Sequence, residues 1–281
     1  MPTPHSLARH AATRYVQPLR EGGSLPAIVD TPDGGLFVVK FRGAGQGPKA
    51  LIAELVVGQL AQALDLPVPE LAIVDLSAAF GRSEPDPEIQ DILRGSEGVN
   101  VGLRYLDGAF NFDAAAAGEL ISADFATRLV WFDALVTNPD RSHRNPNLLV
   151  WRRRPWLIDH GGALYAHHDW PAADEARTRT SFPRIRDHVL LDRAGDLGAV
   201  DAALAGALSP DVIAGVLARV PDELLTDPVG GREFASAAAA RARYLEYLTV
   251  RLRAPRDFVT EATRAQEQTR REHPRPLSAR R

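Results

Sequence analysis

The stretch from Phe125 to Gly162, FATRLVWFDALVTNPDRSHRNPNLLVWRRRPWLIDHGG, constrains the fold more than any other part of the sequence. Phe125, Leu129, Phe132 and Val136 recur at helical spacing, so the segment opens as a helix with one buried face. Ser122 suits its N-cap, and Asp124 suits the positive end of its dipole. Pro139 is expected to stop the helix, because the residue before a proline is pushed out of the helical region. Asp140 then lies just past a helix C-terminus, where the dipole disfavours a carboxylate, so local stability does not explain it. A polar loop runs on to Asn145. Leu148, Leu149 and Val150 read as a short buried strand, Arg152 to Pro155 as a turn, and Trp156, Leu157 and Ile158 as a second strand. Asp159 leaves that strand directly before His160, Gly161 and Gly162. A loop followed by a hairpin thus brings Asp140, Asn145 and Asp159 to one edge. Asp and Asn also serve in loops simply to make turns. The three together, at these spacings, suggest chemistry.

The chemistry that these groups would suit is phosphoryl transfer. It needs a carboxylate to take a proton and oxygen donors to hold a metal ion on nucleotide phosphates. An Asp, four residues and an Asn, followed after a hairpin by Asp-x-Gly, is the spacing of a kinase catalytic loop and its metal-binding aspartate. Here these are Asp140, Asn145 and Asp159-His160-Gly161. The middle residue is His where protein kinases carry Phe. The run Asn138-x-Asp140-Arg141-x-x-x-Asn145-x-Asn147-Leu148-Leu149, then Ile158-Asp159-x-Gly161, resembles the HipA-like kinases and, more distantly, the phosphatidylinositol kinases.

The resemblance covers roughly residues 14 to 165 and implies an α+β, bilobal protein-kinase-like fold. A small antiparallel-sheet N-lobe is expected over 14–107, a larger mainly helical C-lobe over 108–254, and a basic, flexible tail over 255–281. The resemblance implies ATP and Mg²⁺ as cofactors, with Asn145 and Asp159 on the metal and Asp140 as the base. Arg141 joins the catalytic group either by contacting the phosphates or by locking the loop. The acceptor would be a hydroxyl on an unidentified protein serine or threonine, or on a small molecule. The alternative is a nucleotide-binding pseudokinase that regulates a partner. The chain departs from the HipA toxin in having Ser142 where the toxin's loop carries histidine, and no room for an extra N-terminal domain. These departures put the toxin's substrate and partner in doubt, not the nucleotide site.

The N-terminal third fits that order. Arg14 to Leu19, Leu25 to Val29 and Leu36 to Phe41 read as strands, with Asp33-Gly34-Gly35 as a hairpin turn. Residues 1 to 13 read as a loose terminus. Gly22, Gly23 and Ser24 form a small loop whose backbone N–H groups would cover phosphates, although Gly-Gly is also ordinary turn chemistry. Lys40 ends the apolar run Leu36-Phe37-Val38-Val39. Lys40 and Lys49 are the only lysines among 33 basic residues. A lysine retained in an arginine-rich chain suggests a need for a compact point charge. The matching lysine in HipA-like kinases pairs with phosphates. A helix is expected from Pro48 to about Leu66, with Ile52, Val56 and Leu60 as its stripe. Glu54 lies off that stripe, either facing solvent or pairing with Lys40 as the helix glutamate of protein kinases does.

Composition sets the outer limits. At 281 residues, 45% hydrophobic and 25% charged, the chain reads as globular with a real core. A balance of 33 basic against 36 acidic residues argues against a broad nucleic-acid surface, so nucleic acid is not the expected partner. No apolar run is long enough for a bilayer, the first residues lack a signal-peptide core, and cytoplasmic location is the expectation. There is no cysteine, hence no thiolate ligand or thiol nucleophile. His167, His168 and Asp169 suggest a metal only weakly, since adjacent side chains on an extended segment point apart. From Leu197 onward the pattern is helical. Residues 251–281 hold nine Arg against four Asp or Glu, a balance that reads as a solvated tail.

Overall fold

In the computed structural model, the structure describes residues 6–19, 25–32, 34–45, 47–82, 84–227 and 233–272. Gly22, Gly23 and Ser24, the expected phosphate loop, lie outside the described residues. The N-terminal part is built on six strands: β1 (Ala8–Ala11), β2 (Arg14–Pro18), β3 (Ala27–Thr31), β4 (Gly35–Lys40), β5 (Leu71–Leu76) and β6 (Gly98–Arg104). Their order is β1-β5-β6-β4-β3-β2, and every neighbouring pair is antiparallel except β1 with β5. The chain before residue 14 is therefore not loose throughout. Ala8–Ala11 adds an edge strand, and Arg9 is held to Asp75 at 2.6 Å. The β3–β4 turn closes on Gly35 at φ +73°, a left-handed value that glycine takes without a Cβ clash.

Helix α1 (Gly47–Ala63) packs against β5 and β6 on one side and the helical part on the other. Every residue from Leu51 to Ala61 is buried, so α1 has no solvent face and the single stripe expected from the sequence is too narrow. Gly58 permits the close approach, because a Cβ there would fall 2.8 Å from Leu71 Cδ1. The opposite face of the sheet is covered by α2 (Pro87–Arg94), through Ile89 and Leu93 against Val29, Phe37 and Val74.

The second part begins with β7 (Phe110–Asn111), which pairs with the hairpin β8 (Leu148–Trp151) and β9 (Arg154–Leu157). Arg152 and Arg153 turn that hairpin, both left-handed at φ +48° and +60°, as a two-residue turn of matching twist requires. The helices are α3 (Ala114–Ala117), α4 (Ala123–Leu135), α5 (Glu175–Thr178), α6 (Leu197–Ala207), α7 (Pro210–Ala218), α8 (Asp222–Leu225), α9 (Ala237–Leu252) and α10 (Asp257–Glu272). Ser122 caps α4 by accepting the Phe125 N–H at 3.1 Å. The helix ends at Leu135, before Pro139, because Thr137 adopts a left-handed conformation at φ +52°.

The stretch read as a flexible tail needs correcting. Residues 257–272 form α10, which packs on α4, α6 and the 3₁₀ turn Pro183–Asp187 and buries Phe258, Ala262, Ala265 and Gln266. Phe258 meets Trp131 edge-on at 5.6 Å. The fold is α+β, with a strand-rich N-terminal part and a helical C-terminal part. One apolar core runs from α1 through α4 to α9 and α10 and joins the two.

Candidate active site

Lys40 is the last residue of β4 and is 8% exposed. Its Nζ donates to Glu54 Oε2 at 2.7 Å and to Asp159 Oδ1 at 2.5 Å. Glu54 is fully buried in α1 and does not face solvent. It also accepts the His160 backbone N–H at 2.8 Å, and His160 Nδ1 lies 3.3 Å from its other oxygen. Burial alone would push the Glu54 carboxyl up. The Lys40 charge and the His160 hydrogen bond outweigh it and hold the carboxyl far below the usual carboxylate range. Burial likewise disfavours the Lys40 ammonium, but Glu54 and Asp159 together raise it above its ordinary value. The pair is ionised throughout the neutral range, and one ammonium links sheet, helix and the Asp-x-Gly segment.

The loop after α4 is organised from below by a residue that the sequence does not advertise. Asp133 is fully buried. It accepts Asn138 Nδ2 at 3.0 Å, Arg141 Nε at 2.6 Å and His188 Nε2 at 3.0 Å. Burial raises its carboxyl, but the Arg141 charge and the His188 hydrogen bond bring it down to about 2. Arg141 Nη1 also donates to the Asn147 carbonyl. Arg141 is 1% exposed and is not part of the cleft lining; its guanidinium is bonded instead to Asp133 and to the Asn147 carbonyl. Asn138 Oδ1 accepts the Asp140 N–H at 3.1 Å, and Asn147 Nδ2 donates to the Asp140 carbonyl at 3.3 Å. Both peptide groups of Asp140 are thereby fixed while its carboxylate stays free of them.

Asp140 and the Asp-His-Gly-Gly segment are in contact. A Cβ added to Gly162 would fall 2.3 Å from Asp140 Oδ2, so only glycine fits there without moving that carboxylate. Asp159 is held at φ +55°, with its side chain 45% exposed. Asn147, at φ +48°, and Leu164, at φ +57°, are left-handed as well. A left-handed non-glycine residue costs about 1–2 kcal/mol, and such strain gathers where surrounding structure over-determines a functional loop.

Lys40, Asn145 and Asp159 line one cleft of about 840 Å³ between the sheet and the β8–β9 hairpin. Its apolar walls include Val38, Leu103, Leu149 and Ile158, and Leu19 and Pro26 border it too. Asp159 and Asn145 supply a carboxylate and an amide oxygen. These hard oxygen donors fit a magnesium ion that takes its other ligands from phosphates and water. His167 is instead buried, with Nδ1 3.0 Å from the Tyr244 hydroxyl. Among the described residues no three His, Cys, Asp or Glu side chains are grouped as a metal cluster. The sequence reading missed Asp133 and His188. For Asp133 a signal existed, since it is the lone charge in the run Leu129 to Val136. His188 carries none.

The sequence pattern of the HipA-like kinase family matches residues 13–182. No curated protein matches the chain. Among solved structures, the fold is similar to the crystal structure of a Helicobacter pylori proinflammatory kinase, CtkA, with a TM-score of 0.53. The likeness covers 94% of this chain and 99% of that one at 12% identity, so it is a likeness of fold.

Proposed function

The chain belongs to the HipA-like kinase family, and from that premise we propose that it transfers the γ-phosphoryl group of ATP, with Mg²⁺, to a hydroxyl acceptor. The observation that carries the proposal is the Lys40 ammonium, 2.7 Å from Glu54 and 2.5 Å from Asp159 at the wall of the cleft. Lys40 would hold phosphate oxygens, kept charged and in place by Glu54. Asp159 and Asn145 would hold Mg²⁺, which when bound offsets negative charge on the transferring group. Asp140 would orient the acceptor hydroxyl and take its proton, while Arg141 and Asp133 keep its loop in register. The acceptor is proposed to be a protein serine or threonine, and the cytoplasm, where ATP is plentiful, the setting. No single helix among the described residues is long and apolar enough to cross a membrane.

Two measurements test this. Mg·ATP at about a hundred times its dissociation constant should stabilise the purified protein by about 2.7 kcal/mol in thermal unfolding. Label from γ-labelled ATP should then pass to protein. Absence of stabilisation would refute the nucleotide site, and stabilisation without transfer or hydrolysis would leave a pseudokinase. Gly162→Ala offers a sharper check. The added methyl must push the Asp140 carboxylate aside, and a displacement near 1 Å is expected to lower kcat by about 10²-fold. Affinity for Mg·ATP should hardly change, as read by the same thermal shift.

A further inference from the structure

We propose that His188 is a positioning residue for the loop that carries Asp140. It would act through Asp133 and tie the segment Pro183–Leu191 to that loop. The proposal rests on the kinase reading above but concerns a residue outside the cleft. His188 is buried, and both ring nitrogens are committed. The Leu190 backbone N–H donates to Nδ1 at 3.0 Å, so Nδ1 carries no proton. The ring proton therefore sits on Nε2, 3.0 Å from Asp133 Oδ2, the same oxygen that accepts Arg141 Nε at 2.6 Å. This fixes one neutral tautomer, donating into an ion pair that itself holds the loop.

Two backbone links run in parallel. The Val189 N–H donates to the Arg141 carbonyl at 3.1 Å, and Ser142 and His188 form an antiparallel bridge. Asp140 thus sits between an anchor at the end of α4 and an anchor at 188–190. Among the described residues Arg141 Nη2 is buried with no hydrogen-bond partner, so the guanidinium is held there by Asp133 and the Asn147 carbonyl. Without the His188 donor, the Asp133 carboxylate that holds Arg141 Nε loses its side-chain tie to the 188–190 segment, and the ion pair is left to be oriented from the α4 side alone. The same segment exposes Arg184 and Arg186 on the 3₁₀ turn before His188. The surface they form is therefore held at a fixed offset from Asp140.

A purely structural histidine would fill space and affect stability alone. Two substitutions separate the roles, because each keeps one nitrogen's function. In His188→Gln the amide N–H₂ reaches the place of Nε2 and still donates to Asp133. In His188→Asn the amide oxygen replaces Nδ1 as acceptor for Leu190, but nothing reaches Asp133. The readouts are kcat and KM for Mg·ATP turnover, and amide hydrogen exchange over residues 138–147, in the full chain. His188→Asn should lose about tenfold or more in kcat with KM for ATP within about twofold, and exchange in the loop should accelerate. His188→Gln should keep turnover within about threefold and retain loop protection. Equal losses in both variants, or wild-type turnover and protection in His188→Asn, would overturn the proposal. Should His188→Asn not fold, His188→Gln decides alone, and loss of loop protection there refutes the role. If the wild type itself turns over no ATP, the kinase reading fails, while the exchange comparison still decides whether His188 positions the loop.

Discussion

Asp140→Asn is expected to bind Mg·ATP with nearly wild-type affinity and to lower turnover by about 10²–10⁴-fold, the usual contribution of a positioned general base. The argument is that the change removes a proton acceptor and little else. Asparagine has the shape of aspartate, so the contact with Gly162 survives. The Asp140 backbone is held by Asn138 Oδ1 and Asn147 Nδ2, neither of which touches the carboxylate. The proposed nucleotide grip, Lys40 with Glu54 and Asp159, is built from other elements. The contrast is Asp159→Asn, which removes both the carboxylate proposed for Mg²⁺ and a negative charge beside a buried ammonium. That variant should weaken Mg·ATP binding as well as turnover. Calorimetric titration with Mg·ATP, beside steady-state turnover, distinguishes the two patterns. An Asp140→Asn protein that turned over ATP at the wild-type rate would end the assignment of the base.

The residues of this site divide by how they show in the sequence. Lys40, Asp140, Asn145 and Asp159 were legible because each is a polar residue at the end of an apolar run or beside a proline, where packing alone gives it no reason to be. Glu54 was only half legible. Its neighbours on α1 are apolar on every side, so a stripe argument cannot say which face meets the sheet. Arg141 reads as part of the catalytic motif, yet its environment depends on Asp133, eight residues earlier inside a helix. His188 is 55 residues from Asp133, and no local pattern brings them together. Elements whose stability is borrowed were also hidden. Strand β1 reads Ala-Arg-His-Ala, with no β-branched residue, and forms because β5 offers a parallel edge. Helix α10 buries mainly Phe258, Ala262, Ala265 and Gln266 among nine Arg and four acidic residues of the chain's end, a face too small to stand out against that charge. The helical spacing is present, but only the groove formed by α4, α6 and the turn at 183–187 makes it worth burying.

The largest stability effect is expected at Asp133. Asp133→Asn should destabilise the protein by about 3–5 kcal/mol at pH 7, because it leaves the Arg141 guanidinium buried without its counter-charge. Replacing both partners, as in Asp133→Asn with Arg141→Met, should recover part of that loss, since no uncompensated charge then remains in the interior. The pH dependence follows from the same pair. The folded carboxyl lies at about 2, against an ordinary value of 3.8. Its value is depressed on folding, so its stabilisation is complete above pH 4 and is lost as pH falls towards 2. The size is roughly 2 kcal/mol. Glu54 is depressed further and loses its contribution in the acid range as well, so Asp133→Asn should flatten the acid limb of the stability curve without abolishing it. Urea unfolding at pH 7 and pH 3, for wild type, single and double variants, measures both effects. A single variant within about 1 kcal/mol of wild type at pH 7 would mean that the loop carrying Asp140 is not held by this buried ion pair.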